Sequence, residues 1–382
     1  MSRKARVLMV MASPFKSGLA PENSIRAKAV YSNPGFDVDI MCFPIGEDIP
    51  AENVHIIRVP KRQVFKSFQV GDYIKILVFT FLMMGRLLFK KDKQYDVIFL
   101  FNASYLFFWM IKPFYKARVV ATIYAPLAGE MTKWNISGNK LYYRMLQKYE
   151  KFILGKYDML IFNIEKMLHL YLDAGYDSKQ CKLILHASEK AGGVAAAKTE
   201  NSNFNILYAG SFVQVQNIEL LYSIAEKLKS NSSIRFTLIG ATEEEYTAET
   251  NKVKSLGLTS IDIFKRIDQQ LLTEYYRNAD ILISCRIMGD DLPFKIIEYM
   301  SWGKCILATD RPIHNLVLNK DISCLVEPDA QLMADEILNL YNNPAIRKQY
   351  EDNISKFFDD FHSFDKMRDQ YSSLIEEFQL ID

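Results

Sequence analysis

ILISCRIMGDDLPFKIIEYMSWGKCILATD, residues 281–310, is the stretch that decides the fold. Its first five residues are a short apolar run, which predicts a strand buried on both faces. Asp290 or Asp291 is placed to cap a helix, and Pro293 favours the first turn of that helix. Gly303 ends the helix, and KCILAT predicts the next buried strand. The stretch therefore predicts a strand–loop–helix–strand unit.

The loop of this unit is a candidate phosphate site. Open α/β sheets bind ligands outside the carboxyl ends of their strands, where this loop is expected. The start of the helix offers unpaired N–H groups and the positive end of a dipole, and Lys295 adds a full charge. On the helix itself, Ile296, Ile297 and Met300 share one face and are predicted to be buried, while Glu298 points elsewhere.

The pattern LPxKxxEYMxxGK, preceded by Asp290, resembles the donor-site signature of glycosyltransferase family 4. Its Pro-x-Lys form resembles the branch that builds bacterial surface polysaccharides. The resemblance implies that Glu298 binds the ribose hydroxyls of a nucleotide sugar, whereas the alternative is a capping or salt-bridging role on a helix face. It also implies that Asp290 faces the donor sugar and that Asp290 and Lys295 are the catalytic candidates. The helix start that would bind the donor comprises Asp291, Leu292, Pro293 and Phe294.

A second segment, YAGSFVQVQNIE, resembles the YAGNIGxxQN form of the same branch. Other relatives place an arginine and a lysine where this chain has Ser211 and Gln216. The hard step of such a transfer is to stabilise the departing diphosphate. The resemblance therefore assigns that task to Lys295, to the helix start and to backbone N–H groups at Gly210 and Ser211.

Five further residues are candidates from their positions relative to the family. Arg286 or Arg266 could assist at the diphosphate, and Arg266 and Ile267 lie where relatives hold the base. Gly18 lies where the family has a glycine-rich loop that faces the donor phosphates and the acceptor. Glu130 is a candidate for the acceptor pocket, with a solvated loop acid as the alternative.

The length of 382 residues predicts two domains, because one hydrophobic core rarely fills so long a chain. Strands and helices alternate on both sides of a polar segment, 190–203, which indicates a linker. The resemblance implies the α/β GT-B fold, in which two Rossmann-like doubly wound parallel-sheet domains face a cleft. The predicted parts are an acceptor- and membrane-facing domain (1–195), a nucleotide-sugar domain (204–355) and a last helix that packs back on the first domain (356–382). Strands of the first domain are predicted at 6–12, 36–43, 95–101, 118–125, 157–163 and 181–188.

Charge is divided unevenly between the two halves. Residues 1–200 hold 29 Lys and Arg against 17 Asp and Glu, while the remainder holds 18 against 28. No nucleic-acid recognition motif accompanies the basic half, so a membrane surface or a phosphorylated lipid is the predicted anionic partner, and nucleic acid is not.

The excess of basic residues in the first half is concentrated in residues 58–93, which hold nine basic residues against two acidic ones. The longest apolar run in the segment, 76–85, has half the length that a bilayer span needs. A helix of this kind with basic ends is typical of the membrane interface, and the alternative is a helix packed on the sheet. The resulting prediction is a protein on the inner face of the plasma membrane.

Metal and disulfide chemistry are not predicted. The five cysteines show no CxxC spacing and lie mostly in apolar runs, which indicates reduced, buried thiols in a cytosolic protein. Asp37 and Asp39 alternate along a strand and should face solvent rather than bind a metal. The start of the chain has too short an apolar run for a signal peptide, so it is interpreted as the first core strand.

The leading hypothesis is a retaining glycosyltransferase that uses a UDP- or GDP-sugar, without metal or cofactor. Its acceptor would be a polyprenyl-diphosphate-linked glycan. One alternative is a nucleotide-sugar epimerase or hydrolase of the same architecture, although the acid and histidine cluster of those enzymes is not seen. Another is a catalytically silent subunit that scaffolds polysaccharide assembly, which the neutral Ser211 and Gln216 favour.

Overall fold

The computed structural model describes eight stretches of the chain, and contacts between residues divide it into two compact units. The described residues are 3–11, 21–42, 52–58, 81–92, 94–127, 140–191, 203–288 and 294–381. Unit 1 comprises Met1–His186 and Phe364–Asp382, and unit 2 comprises Ala187–Ser363.

Unit 1 is built on a parallel sheet of seven strands. In chain order these are β1 (Ala5–Met11), β2 (Phe36–Cys42), β3 (Val54–Arg58), β4 (Val97–Phe101), β5 (Arg118–Ile123), β6 (Met159–Phe162) and β7 (Cys181–Leu183). They lie in the order β3-β2-β1-β4-β5-β6-β7, so the chain direction across the sheet reverses beside β1. The buried, near-continuous apolar strands are those of a sheet covered on both faces.

Helices connect these strands. They are α1 (Pro21–Tyr31), α2 (Tyr105–Phe108), α3 (Lys140–Leu154) and α4 (Glu165–Asp173). Strand β3 was not predicted, because the short sequence VHIIR carries little periodicity of its own and is recruited by pairing with β2.

Unit 2 contains a parallel sheet of six strands. These are β8 (Phe204–Ala209), β9 (Ile234–Ala241), β10 (Ile261–Lys265), β11 (Ile281–Ser284), β12 (Cys305–Thr309) and β13 (Cys324–Val326). Their order is β10-β9-β8-β11-β12-β13. The helices of the unit are α5 (Ile218–Lys227), α6 (Glu243–Ser255), α7 (Gln269–Asn278), α8 (Phe294–Ser301), α9 (Ala330–Asn342) and α10 (Pro344–Phe357). The two parallel sheets confirm the predicted pair of doubly wound domains.

The last helix, α11 (Phe364–Ile381), belongs to unit 1, where it packs against α1. Arg26 of α1 is fully buried and donates to the Tyr371 hydroxyl of α11 at 2.8 Å. A buried guanidinium needs such partners, because an unpaired charge in the core is costly. This bond therefore ties the end of the chain to its beginning.

Two chemical predictions can be compared with the described residues. None of the five cysteines forms a disulfide, and Cys181 alone is half-buried rather than buried. Asp37 is exposed, but Asp39 is more enclosed than predicted, because Lys90 Nζ binds its carboxylate at 2.6 Å and the Tyr95 hydroxyl also donates to it. No helix among the described residues is long and apolar enough to cross a membrane.

Candidate functional site

The strand order of unit 2 places a crevice where β8 and β11 lie side by side. The two strands pair in parallel through Ile206 and Ile281. From β8 the chain continues to β9 on one side of this pair, and from β11 it continues to β12 on the other side. Ligands of doubly wound sheets bind at the carboxyl ends of such strands. Gly210 follows β8 there, and Cys285 and Arg286 follow β11.

The end of β8 is closely packed against β9. Gly240 has a φ of +129°, and a Cβ atom added to it would lie 2.1 Å from the Gly210 carbonyl oxygen. Only glycine allows this conformation and this approach. The backbone of Gly210 is further fixed by its N–H, which donates to the Ile239 carbonyl at 2.9 Å. The loop that follows β8 therefore starts from a rigid point.

Lys295, in the first described turn of α8, lies directly over the end of β8. Its ammonium donates to Gln216 Oε1 at 2.6 Å and lies 4.3 Å from the centre of the Tyr208 ring. The Tyr208 hydroxyl in turn donates to the Ser211 carbonyl at 2.6 Å. The charge is thus held by a neutral amide and an aromatic face beside the strand end, an arrangement that leaves it available to an anion.

Burial lowers the pKa of Lys295 to about 7, and the nearby Arg286 guanidinium acts in the same direction while the Cys285 thiol opposes it. The ammonium loses hydration in this position, and desolvation disfavours its charged form. A bound phosphate would supply the counter-charge that the described residues do not place there.

Tyr299 fixes α8 to the sheet. Its buried hydroxyl accepts from the Ala209 N–H at 2.9 Å and donates toward the Ala209 carbonyl at 3.3 Å. Ile296, Ile297 and Met300 are buried on the same helix, which confirms the predicted apolar face. The hydroxyl therefore sets the position of α8, and with it the position of Lys295.

Glu298 lies half-buried on α8 beside Tyr276 of α7. Burial raises the pKa of Tyr276, and the charge of Glu298 and the hydrogen bond to its carboxylate raise it further. Tyr276 also stacks on Trp302 with ring centres 5.0 Å apart. The carboxylate is thus oriented by a tyrosine that is itself fixed by an aromatic stack.

A neutral histidine underlies the loop that follows β11. His314 is fully buried, its Nδ1 lies 2.8 Å from the Thr309 carbonyl, and its Nε2 lies 2.9 Å from Ser284 Oγ. Because a carbonyl only accepts, Nδ1 carries the proton and Nε2 accepts from the serine. Burial lowers the pKa of His314 to about 4, and the positive charges of Lys295 and Arg286 contribute. The imidazole is a positioning group.

Four further candidates lie among the described residues: Arg286, Arg266, Ile267 and Phe294. Arg286 Nε donates to the Met288 carbonyl at 2.9 Å, which holds the guanidinium against its own loop. The side chain of Arg266 is exposed, and its N–H donates to the Ala241 carbonyl at 3.1 Å. Ile267 and Phe294 are half-buried.

Six candidates lie outside the described residues, and their roles remain predictions: Gly18, Glu130, Asp290, Asp291, Leu292 and Pro293. Within the described stretches, no group of three or more His, Cys, Asp and Glu side chains is arranged to hold a metal ion.

Tyr208, Tyr276 and His314 are site residues that the sequence did not indicate. Tyr208 stands in a buried strand and Tyr276 at the end of a helix, and aromatic residues in such places usually belong to the core. The signal for Tyr208 was its position directly before Ala-Gly at a strand end. His314 carried no signal, because its partners are set by the fold.

A family profile matches the part of the chain that holds this site. Residues 203–343 match the profile described as "Glycosyl transferases group 1". The match covers β8 to β13 and includes Lys295, Gln216 and Glu298. No curated protein sequence matches the chain.

Solved structures resemble the chain over nearly its whole length. Sucrose-phosphate synthase from Thermosynechococcus elongatus has a TM-score of 0.76 at 16% identity, covering 99% of this chain and 100% of that one. The Anabaena protein HepE, solved with UDP and glucose, has a TM-score of 0.68 at 13% identity, covering 98% and 100%. WaaG, a glycosyltransferase involved in lipopolysaccharide biosynthesis, has a TM-score of 0.65 at 12% identity, covering 97% and 99%. At these identities the likeness concerns the fold, which is that of the GT-B glycosyltransferases.

Proposed function

We propose that this protein is a retaining glycosyltransferase that moves a hexose or hexose derivative from a UDP- or GDP-sugar to a lipid-linked glycan in bacterial surface polysaccharide synthesis. The observation that carries the proposal is the Lys295 ammonium, held by Gln216 and Tyr208 at the carboxyl end of β8. It lies inside the region that matches the glycosyl transferases group 1 profile. Two supporting facts come from relatives of the same fold: HepE was solved with UDP and glucose, and WaaG takes part in lipopolysaccharide biosynthesis.

The proposed chemistry centres on the departing diphosphate. As the bond to the sugar breaks, negative charge grows on the diphosphate, and preorganised donors at that point lower the barrier. Lys295 supplies a full charge, and the backbone around Gly210 and Ser211 is the proposed source of further donors. Glu298 is proposed to bind the ribose hydroxyls, and Asp290 to face the donor sugar. No metal enters this scheme.

The proposal includes attachment to an anionic membrane on the inner face of the cell. Of the basic segment 58–93, the structure describes 81–92, where Phe81, Leu82 and Phe89 are exposed. Helix α3 adds a second basic, apolar surface to unit 1. Its exposed apolar side chains are Leu141, Met145 and Phe152, and its exposed basic side chains are Arg144, Lys148 and Lys151. Helices with these two groups on one exposed side bind the interface of anionic membranes.

One specific observation favours the catalytically silent alternative. Ser211 and Gln216 stand where other relatives carry an arginine and a lysine, so the described site holds fewer positive charges for a diphosphate. A scaffolding subunit would need neither charge. Turnover, rather than nucleotide binding, distinguishes the two functions.

The test is calorimetric binding of UDP-, GDP- and ADP-sugars to the full chain, followed by an assay for sugar release. Glu298→Ala should weaken the preferred donor by about 10- to 100-fold, because hydrogen bonds to a charged group contribute about 1.5–3 kcal/mol. Glu274→Ala, which removes an exposed carboxylate from α7 of the same unit, is the matched control and should bind as the wild type does.

Each outcome of this test has a defined meaning. Donor binding with turnover supports the transferase, and donor binding without any release or transfer supports the silent subunit. If no nucleotide sugar binds at millimolar concentration, the proposed donor site is wrong.

A further inference from the structure

The hydrogen-bond ladder between β8 and β11 stops before either strand ends. The two strands pair in parallel as far as Leu207 and Leu282. Beyond that point β8 remains paired with β9 as far as Ala209, and β11 remains paired with β12 as far as Ser284. Each strand therefore continues for two residues after it has separated from the other, and the crevice of unit 2 begins inside the sheet.

The hydroxyl group of Tyr299 lies where the next rung of that ladder would be. Rungs of a parallel ladder are evenly spaced, so the register at Leu207 would next join the Ala209 N–H to the Ile283 carbonyl. Instead, the Tyr299 hydroxyl oxygen lies 2.9 Å from the Ala209 nitrogen and 3.5 Å from the Ile283 carbonyl oxygen. The phenol group of α8 is thus inserted between two neighbouring strands of the sheet.

The groups in this arrangement are all buried. Ala209 is 7% exposed, and Ile283 and Tyr299 are fully buried. An N–H group that is buried without a partner is costly, so the Ala209 N–H needs either the hydroxyl or the missing rung. The ring of Tyr299 is held in place by Tyr276, which packs edge-on against it with ring centres 5.9 Å apart. The hydroxyl therefore satisfies the N–H while it keeps the two strands apart.

Lys295 extends from the same face of α8 as this hydroxyl. Lys295 and Tyr299 lie four residues apart on the helix, which places their side chains one turn apart on one side. The Lys295 ammonium lies 4.3 Å from the centre of the Tyr208 ring, and a Cβ atom added to Gly210 would lie 3.6 Å from Lys295 Cδ. Lys295 thus lies over the residues on either side of Ala209. Closure of β8 onto β11 would displace α8, and Lys295 with it.

We propose that Tyr299 is a positioning residue whose hydroxyl replaces one rung between β8 and β11 and thereby holds open the crevice in which Lys295 meets the donor diphosphate. The insertion between the strands rests on its own geometry. Its consequence for the donor rests on the proposed glycosyltransferase function. Without the hydroxyl, the Ala209 N–H and the Ile283 carbonyl pair with each other, and α8 moves away from the end of β8 together with Lys295.

The insertion is tested by the structure of Tyr299→Phe, which removes the hydroxyl and nothing else. A crystal structure of this variant of the full chain should show the Ala209 nitrogen at about 3 Å from the Ile283 carbonyl oxygen, the distance of a direct hydrogen bond. Strands that stay apart in the variant would overturn the inference. NMR of the wild type checks the same geometry without any variant, because Tyr299 ring protons should show nuclear Overhauser contacts to the Ala209 amide proton. The absence of those contacts contradicts the insertion.

The positioning role is tested by a double-mutant cycle with Lys295→Met, using the UDP-, GDP- or ADP-sugar that binds the wild type. Below neutral pH, Tyr299→Phe should weaken this binding by about tenfold or more. In the Lys295→Met background the same change should cost less than about twofold, because both substitutions act through one ammonium. Equal losses in the two backgrounds would show that Tyr299 acts independently of Lys295 and would contradict the role.

Tyr222→Phe is the matched control. It removes the hydroxyl of another buried tyrosine of unit 2, which donates to Glu249 at 2.8 Å, and it should bind the donor as the wild type does. The pH profile of donor affinity gives a readout that a loss of stability does not move. In Tyr299→Phe the displaced Lys295 ammonium regains water and stays protonated, so the profile should be flat near neutral pH, whereas Tyr222→Phe should keep the wild-type profile.

Failure of this inference differs from failure of the proposed function. If no nucleotide sugar binds the wild type, the proposed function is contradicted, while closure of the strands in Tyr299→Phe still supports the insertion. If a nucleotide sugar binds the wild type and Tyr299→Phe equally well, the positioning role is wrong and the proposed function stands.

Discussion

The fold brings the pKa of Lys295 close to neutral pH. Its pKa is lowered to about 7 because burial removes water from the ammonium. Gln216 and Tyr208 contact it without supplying a negative charge. Gln216 therefore orients Lys295 without adding a second positive charge beside it.

Donor binding should depend on pH through Lys295. An anionic diphosphate favours the protonated amine, so it raises the pKa of Lys295 in the complex. Affinity should be greatest below the free pKa of about 7 and should fall by up to about tenfold per pH unit above it. Calorimetry with a nucleotide sugar on both sides of this pH, in buffers of different ionisation enthalpy, should show proton uptake on the alkaline side.

Lys295→Met provides the control for this dependence, because it keeps the length of the side chain and removes the titrating group. It should bind the donor more weakly at acidic pH and show no proton uptake. A pH profile that runs parallel to that of the wild type would assign the titration to another group and contradict the role given to Lys295.

At the scale of elements, α3 exposes apolar side chains beside basic ones. Its sequence, KLYYRMLQKYEKFIL, holds four basic residues and one acid, and that acid, Glu150, is buried. The buried face of the helix packs through Ile153 and Leu154. The exposed face therefore presents apolar and basic side chains together, as proposed for membrane attachment.

Reversing the charges on α3 should weaken membrane binding without affecting the fold. The triple variant R144E, K148E and K151E should lose on the order of 1 kcal/mol per residue in binding to anionic vesicles, and more when the reversed charges are repelled. Vesicle sedimentation with phosphatidylserine-containing and neutral lipids measures this. The matched control is K227E, K229E and K254E, which reverses three exposed charges in unit 2. Equal binding by both triple variants would exclude α3 from the membrane surface.

At the scale of the whole molecule, helix α11 packs on unit 1, although unit 2 lies between them in the sequence. Residues 364–382 belong with 1–186, and the buried Arg26 bonds to Tyr371 across that return. Phe99 of β4 also packs edge-on against Tyr371, with ring centres 5.4 Å apart. The sheet of unit 1 is therefore covered on part of one face by α11, which is distant from its strands in sequence.

Truncating the chain after Ser363 should destabilise unit 1 selectively. Loss of α11 exposes the apolar surface under it and leaves the buried Arg26 without its hydroxyl partner, which is strongly unfavourable. Hydrogen exchange followed by mass spectrometry should show lost protection in α1 and β4 and retained protection in β8 and β11. Equal loss in both units would show that they fold as a single cooperative body, contrary to this expectation.

Local patterns were sufficient to predict many elements of the fold. Alternation of apolar runs with amphipathic helices predicted two parallel sheets, and the structure contains both. Strand β3 escaped prediction because its short sequence is stabilised by pairing rather than by its own propensity. Strand β13 was not predicted either, because it has only three residues and is stabilised by pairing with β12.

What the sequence by itself determined was the position of Lys295 in the first turn of a helix that follows a buried strand, with Glu298 on the same helix. Only the tertiary structure decided that Lys295 meets Gln216, 79 residues away, and that Glu22 meets Asn163, 141 residues away. The physical reason is that periodicity reports which face of an element is buried. Contacts between side chains depend on the order of strands in the sheet, which brings distant residues together at its carboxyl edge.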